Sequence, residues 1–438
     1  MQILIKNATI VTMDDSQRLI DNGNVAIQDD KIIYVGDNSS QYHEFLQTNP
    51  HFIPDKIIDA TDKLLMPGLV NAHTHSPMNL LRNYADDLSL QQWLFEKIIP
   101  RESKLTADDI YWGAMLGIAE MIKSGTTCFA DMYLHMDAVA QAVADTGIRA
   151  LLSKGPLISS HREENKIVVD ESGCLDYFAK WHNSANGRIK TCLEIHSVYF
   201  YDEDSLRGAV ALAKQLNTGI HIHVMETAGE YQISHKMYGM NSVEACVQFG
   251  LFDVPVLAAH GVHLTDDEME ILKQYSVNVV HNPSSNLKLG SGIAKIPQML
   301  DLGINLALGT DGSASNNNLN MFEEMHLTAL LHKGANMNPT ILDAYTVLKM
   351  ATLNGAKALG WESEIGAVKV GMKADLILID LDQLHLLPIN NPISALVYSV
   401  QASDVDTVLI DGNIVMEQRR LLTIDEEELK NKIKRDFV

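Results

Sequence analysis

Eight short apolar runs of β type, each separated from the next by a stretch of helical periodicity, fill the middle of this 438-residue chain. They are Leu69 to His75, Thr126 to Met132, Arg149 to Lys154, Thr191 to His196, Gly219 to Val224, Val256 to His260, Val277 to His281 and Asn305 to Asp311. Strands this uniformly apolar are buried on both faces, which calls for a parallel sheet covered by helices. Ala107 to Lys123, Glu203 to Gln215 and Asp266 to Tyr275 read as such helices. Eight units are the number that closes a barrel, so the fold class expected is α/β, a (β/α)8 TIM-type barrel. The competing reading is an open, doubly wound sheet. No glycine-rich phosphate loop follows the first run, which weighs against it.

The ends of the chain have a different texture. From Ile3 to about Ala60, short strands (Ile3 to Val11, Asn24 to Ile27, Lys31 to Val35) are broken by Asp-Asn-Gly and Asp-Asp turns, as in antiparallel sheets. Ala374 to Asp380, Thr407 to Ile410 and Asn413 to Met416 repeat the pattern, the last two joined by Asp411-Gly412, a strong hairpin signal. Termini of a domain commonly lie close together, so both ends are expected to build one small β-sandwich. The divisions expected are residues 1–60 and 361–438 for the sandwich and 61–360 for the barrel, with Asp425 to Arg435 a charged terminal helix.

A formal charge of −22 without a compensating basic stripe repels phosphate backbones, so nucleic acid is not an expected partner. No segment reaches the roughly 20 apolar residues of a membrane span, and Met1 to Lys6 lacks the basic start and apolar stretch of a signal peptide. Cys128, Cys174, Cys192 and Cys246 lie far apart with no CxxC pair, so neither a cysteine zinc site nor a disulfide framework is expected. A cytoplasmic protein without membrane association fits these features.

Each apolar run ends in or near a group capable of chemistry: His75, Asp131, Lys154, His196, His223, His260, His281 and Asp311. Barrel active sites are assembled from the C-terminal ends of several strands, and this distribution supplies one. In His73-Thr74-His75, two-residue spacing points both imidazoles to one side of a strand. His221-Ile222-His223 repeats the spacing on the fifth run, and His223, nearer the rim, is the better ligand. His221 then reads as a packing residue or one that braces a ligand. Asp311, in Gly309-Thr310-Asp311-Gly312, supplies a hard oxygen on the eighth run, beside the first in a closed barrel. Three nitrogens, one oxygen and room for water suit a catalytic Zn²⁺, and Fe²⁺ and Mn²⁺ accept the same donors. Taken singly, each has a bland reading: packed or solvated histidines, and an aspartate in an Asp-Gly turn.

With these motifs stand Met66-Pro67-Gly68-Leu69-Val70-Asn71-Ala72-His73-Thr74-His75, His223-Val224-Met225-Glu226-Thr227, Ala258-Ala259-His260-Gly261-Val262-His263-Leu264, the stretch His281 to Leu289, and Gly371-Met372-Lys373-Ala374-Asp375-Leu376. Together they resemble the amidohydrolase superfamily over nearly the whole chain, and most nearly its 5-methylthioadenosine/S-adenosylhomocysteine deaminases. The resemblance implies a hydrolase that removes the amine of an adenine ring. In that setting metal lowers the pKa of water toward about 7, Asp311 takes the proton, and His260 orients the attacking oxygen. Glu226 corresponds to the carboxyl that protonates the ring nitrogen. His196 would face the substrate, Glu102 would accept hydrogen bonds from ribose hydroxyls, and Trp93 would line the pocket. No lysine stands on the fourth run to bridge two metals, so one ion per subunit is implied. Family habit adds a homo-oligomer, with a small nucleoside as the partner.

The chain departs from the resemblance on the 5′ side of the substrate. Relatives carry arginine on the third strand and another in the following loop; here Lys154 stands at the first and His161, rather than Arg162, falls opposite the second. Lysine does not reproduce the two-pronged grip of guanidinium on a carboxylate, so S-adenosylhomocysteine is expected to be a poorer substrate than 5′-methylthioadenosine, 5′-deoxyadenosine or adenosine. The rival enzymatic reading is an amine or chloride hydrolase acting on guanine, a pterin or an s-triazine. A non-catalytic binding module would be expected to have lost ligands or Glu226, and all are present.

Overall fold

The computed structural model describes residues 1–14, 16, 19–37, 39–159 and 167–437. His161 and Arg162 lie outside them. The eight apolar runs form eight parallel strands, Leu69–Thr74, Thr126–Met132, Arg149–Lys154, Ile189–Ile195, Ile220–Val224, Val256–His260, Asn278–His281 and Leu306–Leu308, hydrogen-bonded in chain order. The seam between the eighth and first strands is bridged by particular groups. Asp311 N donates to the His73 carbonyl at 3.0 Å, the Asn71 amide donates to Thr310 Oγ1 at 2.7 Å, and Thr310 N donates back to Asn71 Oδ1 at 2.9 Å. Glycine allows this closeness, because a Cβ at Gly309 would lie 2.8 Å from His73 N.

Amphipathic helices cover the barrel as the periodicity predicts. Ala107–Lys123 starts at a capping box in which Thr106 and Asp109 satisfy each other's backbone donors. Glu203–Gln215 and Asp266–Gln274 are capped by Asp202 and Thr265. At the N-terminal end, Val70, Ala72, Cys128, Ala130, Leu257, Val280 and Ala307 pack with Ala356, Leu359, Trp361 and Ile365, so that end is a filled core. The C-terminal end is left to carry chemistry.

The two chain ends build a second sheet of nine strands: Gln2–Val11, Leu19–Gln28, Lys31–Asp37, Lys56–Asp59, Lys63–Pro67, Leu376–Asp380, Val405–Ile410, Asn413–Glu417 and Arg420–Leu421. Its pairings are antiparallel except those of Gln2–Val11 with Lys56–Asp59 and Lys63–Pro67. Ile3, Ile5, Ile27 and Leu65 share one core with Leu376, Leu378 and Leu409, so the two ends fold as one unit. Strand Lys63–Pro67 lies beyond residue 60 yet belongs to this sheet. Trp361, beyond residue 360, plugs the barrel. The terminal helix Glu426–Phe437 lies on the barrel, where Lys432 and Glu426 pair with Asp108 and Lys123. Among the described residues no helix is long and apolar enough to cross a membrane, and the four cysteines are free and buried.

Candidate metal centre and active site

On the first strand Val70 and Ala72 face the barrel plug, and unbroken alternation would turn Thr74, not His73, inward. A bulge prevents this. Between Asn71 and Thr74 the strand advances three residues while its neighbour advances two, from Phe129 to Asp131. The extra residue re-aims His73 and His75 into the mouth. Thr74 is turned aside to donate to the Ala130 carbonyl and to Asp131. Buried Asp131 also accepts from Ser76 N at 2.8 Å, which fixes the chain just after His75.

Each imidazole is held by its outer nitrogen. His75 Nδ1 donates to the Met132 carbonyl at 2.7 Å and His223 Nδ1 to the His196 carbonyl at 2.8 Å. His73 Nδ1 lies 2.8 Å from His221 Nε2, and His221 Nδ1 lies 3.0 Å from Ser153 Oγ. All three Nε2 atoms converge, and the outer hydrogen bonds of His75 and His223 leave the Nε2 lone pair forward in the neutral ring that a metal would bind. His223 Nε2 and His75 Nε2 are 3.4 Å apart, and Asp311 Oδ1 lies 3.4 Å from His73 Nε2 and 3.2 Å from His75 Nε2. His73 Nε2, fully buried, has no hydrogen-bond partner. On Asp311, Ser285 and Ser315 donate to Oδ2 at 2.7 and 3.0 Å, while Oδ1, which accepts from Gly312 N at 2.8 Å, is the oxygen turned to the centre.

The electrostatics point the same way. Burial drives the pKa of His223 well below its ordinary value and that of His73 down to about 4, so both are neutral donors. Burial opposes charge on His75 too, but the hydrogen bond and charge of Asp311 outweigh it and carry that imidazole up to about 9. Asp311, against the cost of burial, is held well below the usual carboxylate range by His73 and His75. The cluster thus attracts positive charge. One proton on His75 leaves the orphaned His73 Nε2 unanswered, whereas a divalent cation answers His73, His75, His223 and Asp311 together. Their ligand atoms fall into two overlapping groups, His73 with His75 and His223, and His73 with His260 and Asp311, each within 4.8 Å. The residues fit a single metal ion.

Around this centre stand the other predicted residues. His260 donates from Nδ1 to Asn286 Oδ1 at 2.8 Å, and its Nε2 lies 3.9 Å from Glu226 Oε2. Burial raises the pKa of Glu226 against the opposing pull of His260. His196 stacks on His223 at 4.6 Å. Burial, with His75 beside it, lowers it to about 3, and its Nδ1 has no partner. Glu102 ends the short helix Ile99–Glu102, which continues the π-helical segment Gln92–Ile98, and accepts from Tyr133 Oη at 2.6 Å. Trp93 is buried against Met78, Leu81, Ile98 and Ala314, with Tyr133 packed on the same cluster. His263 turns away to the Ser291 carbonyl, and His281 meets His332 at 3.2 Å.

Lys154 is not brought into this inward set. It continues the parity of Ala150 and Leu152, which pack in the helix-facing core. Its charge acts on Asp137 and Cys174 in the helices as well as on Glu194. Sequence reasoning passed over Tyr133, Ser153, Asn286 and Glu194. Asn286 alone carried a signal, by its place in the His281 to Leu289 stretch. Met225, His260 and Asp311, each just at or past a strand end, have φ of +52°, +77° and +61°. Such backbone costs about 1–3 kcal/mol per residue and gathers where geometry serves function.

A model of the Amidohydrolase family matches residues 64–415. A 5-methylthioadenosine/S-adenosylhomocysteine deaminase of Acetivibrio thermocellus is 59% identical over 434 residues, 99% of this chain and 98% of that one. The crystal structure of an adenosine deaminase from Xanthomonas campestris with bound zinc is 33% identical, with a TM-score of 0.91, and covers 99% of this chain and 97% of that one. An atrazine chlorohydrolase of Arthrobacter aurescens, 24% identical over the full length of both chains, shares the fold with a TM-score of 0.89. With a family model covering most of its length and a relative matched from end to end, this chain belongs to the amidohydrolase family.

Proposed function

We propose that the protein is a zinc-dependent aminohydrolase that converts the adenine ring of 5′-modified adenosines to the inosine analogue and ammonia. 5′-Methylthioadenosine leads the candidates, ahead of S-adenosylhomocysteine, 5′-deoxyadenosine and adenosine. The carrying observation is the pairing of a metal donor set with a carboxyl, Glu226, that stands 3.9 Å from His260 Nε2 and whose pKa burial raises. The 59% identical deaminase supports the substrate class.

A divalent cation bound by His73, His75, His223 and Asp311 supplies Lewis acidity toward a water molecule. Asp311 accepts the proton that water loses on attacking the ring carbon and passes it to the departing amine, which leaves as ammonia. Glu226 protonates the adjacent ring nitrogen and recovers a proton from the new hydroxyl as the carbon–nitrogen bond breaks. His260, its Nδ1 committed to Asn286, presents the Nε2 lone pair to accept a hydrogen bond from the attacking water and so orient it. Glu102 keeps one oxygen on Tyr133 and offers the other to ribose hydroxyls. His196 and Trp93 complete the nucleoside pocket on this reading. The buried free cysteines support a reducing cytoplasm as its location, and the family setting suggests a homo-oligomer.

The test is ammonia release by purified protein of known metal content from a panel of adenosines, guanine, a pterin and an s-triazine. Release from the adenosines is expected. Release from guanine, the pterin or the triazine alone would overturn the substrate class.

A further inference from the structure

The deamination steps leave one inward carboxyl without a task. Glu194 lies on the fourth strand, Ile189–Ile195. Leu193 and Ile195 on that strand pack in the helix-facing core, while Cys192 meets Ser153, which itself reaches His221 inside the barrel. Alternation therefore turns Glu194 inward with His196. Glu194 is half-buried and makes no hydrogen bond or ion pair among the described residues. Across from it the third strand ends in Lys154 and then Gly155, where a Cβ would lie 3.6 Å from Glu194 Oε2. The missing side chain at Gly155 keeps space open at this edge of the mouth.

Strand order places Glu194 on one side of the pocket. It stands on the fourth strand beside the third, and Glu102 is held by Tyr133, just after the second. Glu226 and His260, which handle the ring, lie just past the fifth strand and at the end of the sixth. Glu194 is therefore on the ribose side, with Glu102. Buried charge without a partner is costly, and burial lifts this carboxyl to about 7 despite His75 and Lys154. A substrate group that donates a hydrogen bond would relieve that cost, and a second carboxylate would add to it.

We infer that Glu194 is a specificity-determining residue that meets the 5′ substituent of the nucleoside, accepting a hydrogen bond from a donor there, an amine above all, and disfavouring a 5′ carboxylate. This rests on the reading of the site as an adenosine-analogue deaminase and extends it to the part of the substrate that chemistry at the ring does not choose. It also reverses the electrostatic sense of the edge, since the inward group between the third and fourth strands is an acid, while Lys154 stands on the outer parity.

The test compares kcat/KM for 5′-amino-5′-deoxyadenosine, 5′-methylthioadenosine and adenosine-5′-carboxylic acid, using metal-loaded wild type and Glu194→Gln. The wild type is expected to rank amine above methylthio above carboxylate. In E194Q the ratio of amine to carboxylate is expected to fall about tenfold or more, the size of one charge-assisted hydrogen bond. An unchanged ratio, with normal wild-type turnover of 5′-methylthioadenosine, would overturn the role of Glu194 alone. No turnover of 5′-methylthioadenosine by the wild type would overturn the substrate reading and this inference with it. Inhibition constants of the amine and the carboxylate against wild-type turnover give the same ranking without a variant, and equal constants would count against Glu194.

Discussion

At the metal centre each imidazole is fixed by what its outer nitrogen touches, so the neighbours of the ligands matter almost as much as the ligands. His221 meets none of the chemistry, yet it holds His73 at 2.8 Å and is itself held by Ser153. Replacing it, as in His221→Ala, is expected to weaken metal binding about 10–100-fold, read by competition with a chelator, because His73 loses the partner that sets its tautomer and angle. Unchanged metal affinity would show that packing alone orients His73. Glu226→Gln is expected to keep the metal and lose about 10²–10⁴ in kcat, since the amide cannot release a proton to the ring. Burial raises the pKa of Glu226, so its protonated form persists above the ordinary carboxyl range and is lost as pH rises through the shifted value. The wild-type rate should accordingly fall on the alkaline side of its optimum, and a profile flat through that region would contradict the assignment. His73, His75, His223 and Asp311 could be marked from sequence because histidine pairs at two-residue spacing and a strand-end aspartate are local patterns. Glu194 could not, because its importance depends on which parity of the fourth strand faces the barrel, and that is set by contacts with Ser153 and His221 on other strands.

Strands and turns carry the same division between what is local and what is not. The Asp411-Gly412 turn forms as the dipeptide predicts, with φ of +53° and +74° joining Val405–Ile410 to Asn413–Glu417. Its glycine has a second role invisible in the dipeptide, since a Cβ there would fall 1.9 Å from the Asp29 carbonyl at the other end of the chain. The eighth strand is shorter than its apolar run: Gly309 N still donates to the His281 carbonyl of the seventh strand at 3.1 Å, and then Thr310 and Asp311 turn to bridge the seam. The bulge in the first strand is likewise unreadable from the run Leu69 to His75. Between barrel and end sheet, fully buried Arg149 at the start of the third strand donates twice to Asp375, at 2.8 and 3.0 Å, and once to Asp411, at 3.2 Å. Asp411 also pairs with Lys373 at 2.9 Å. Removing the cation leaves buried Asp375 without a cationic partner, while Asp411 keeps Lys373, so Arg149→Ala is expected to destabilise the protein by about 3–5 kcal/mol in denaturant unfolding. A loss under about 1 kcal/mol would mean that water enters the junction and replaces the guanidinium.

Over the whole molecule the ligands are drawn from the first, fifth and eighth strands, so the ion would close the ring of strands across the seam that regular pairing leaves weakest. Anything that binds the folded chain and not the unfolded one stabilises it by mass action, by about 4 kcal/mol at a thousand times the dissociation constant. Removing the metal with a chelator is therefore expected to abolish ammonia release and lower the unfolding temperature together, with both restored on adding Zn²⁺. The effect should not be uniform. The seam rests on Asp311 N with the His73 carbonyl and on the exchange between Asn71 and Thr310, three hydrogen bonds clustered beside the ligands. The second and third strands, Thr126–Met132 and Arg149–Lys154, pair through a regular register and supply no ligand. Hydrogen exchange after chelation should accordingly rise at residues 69–75 and 306–311 while the second and third strands stay protected, because local opening follows the least supported pairing. Equal loss of protection around all eight strands would show that the barrel closes without the ion and that the metal serves chemistry alone.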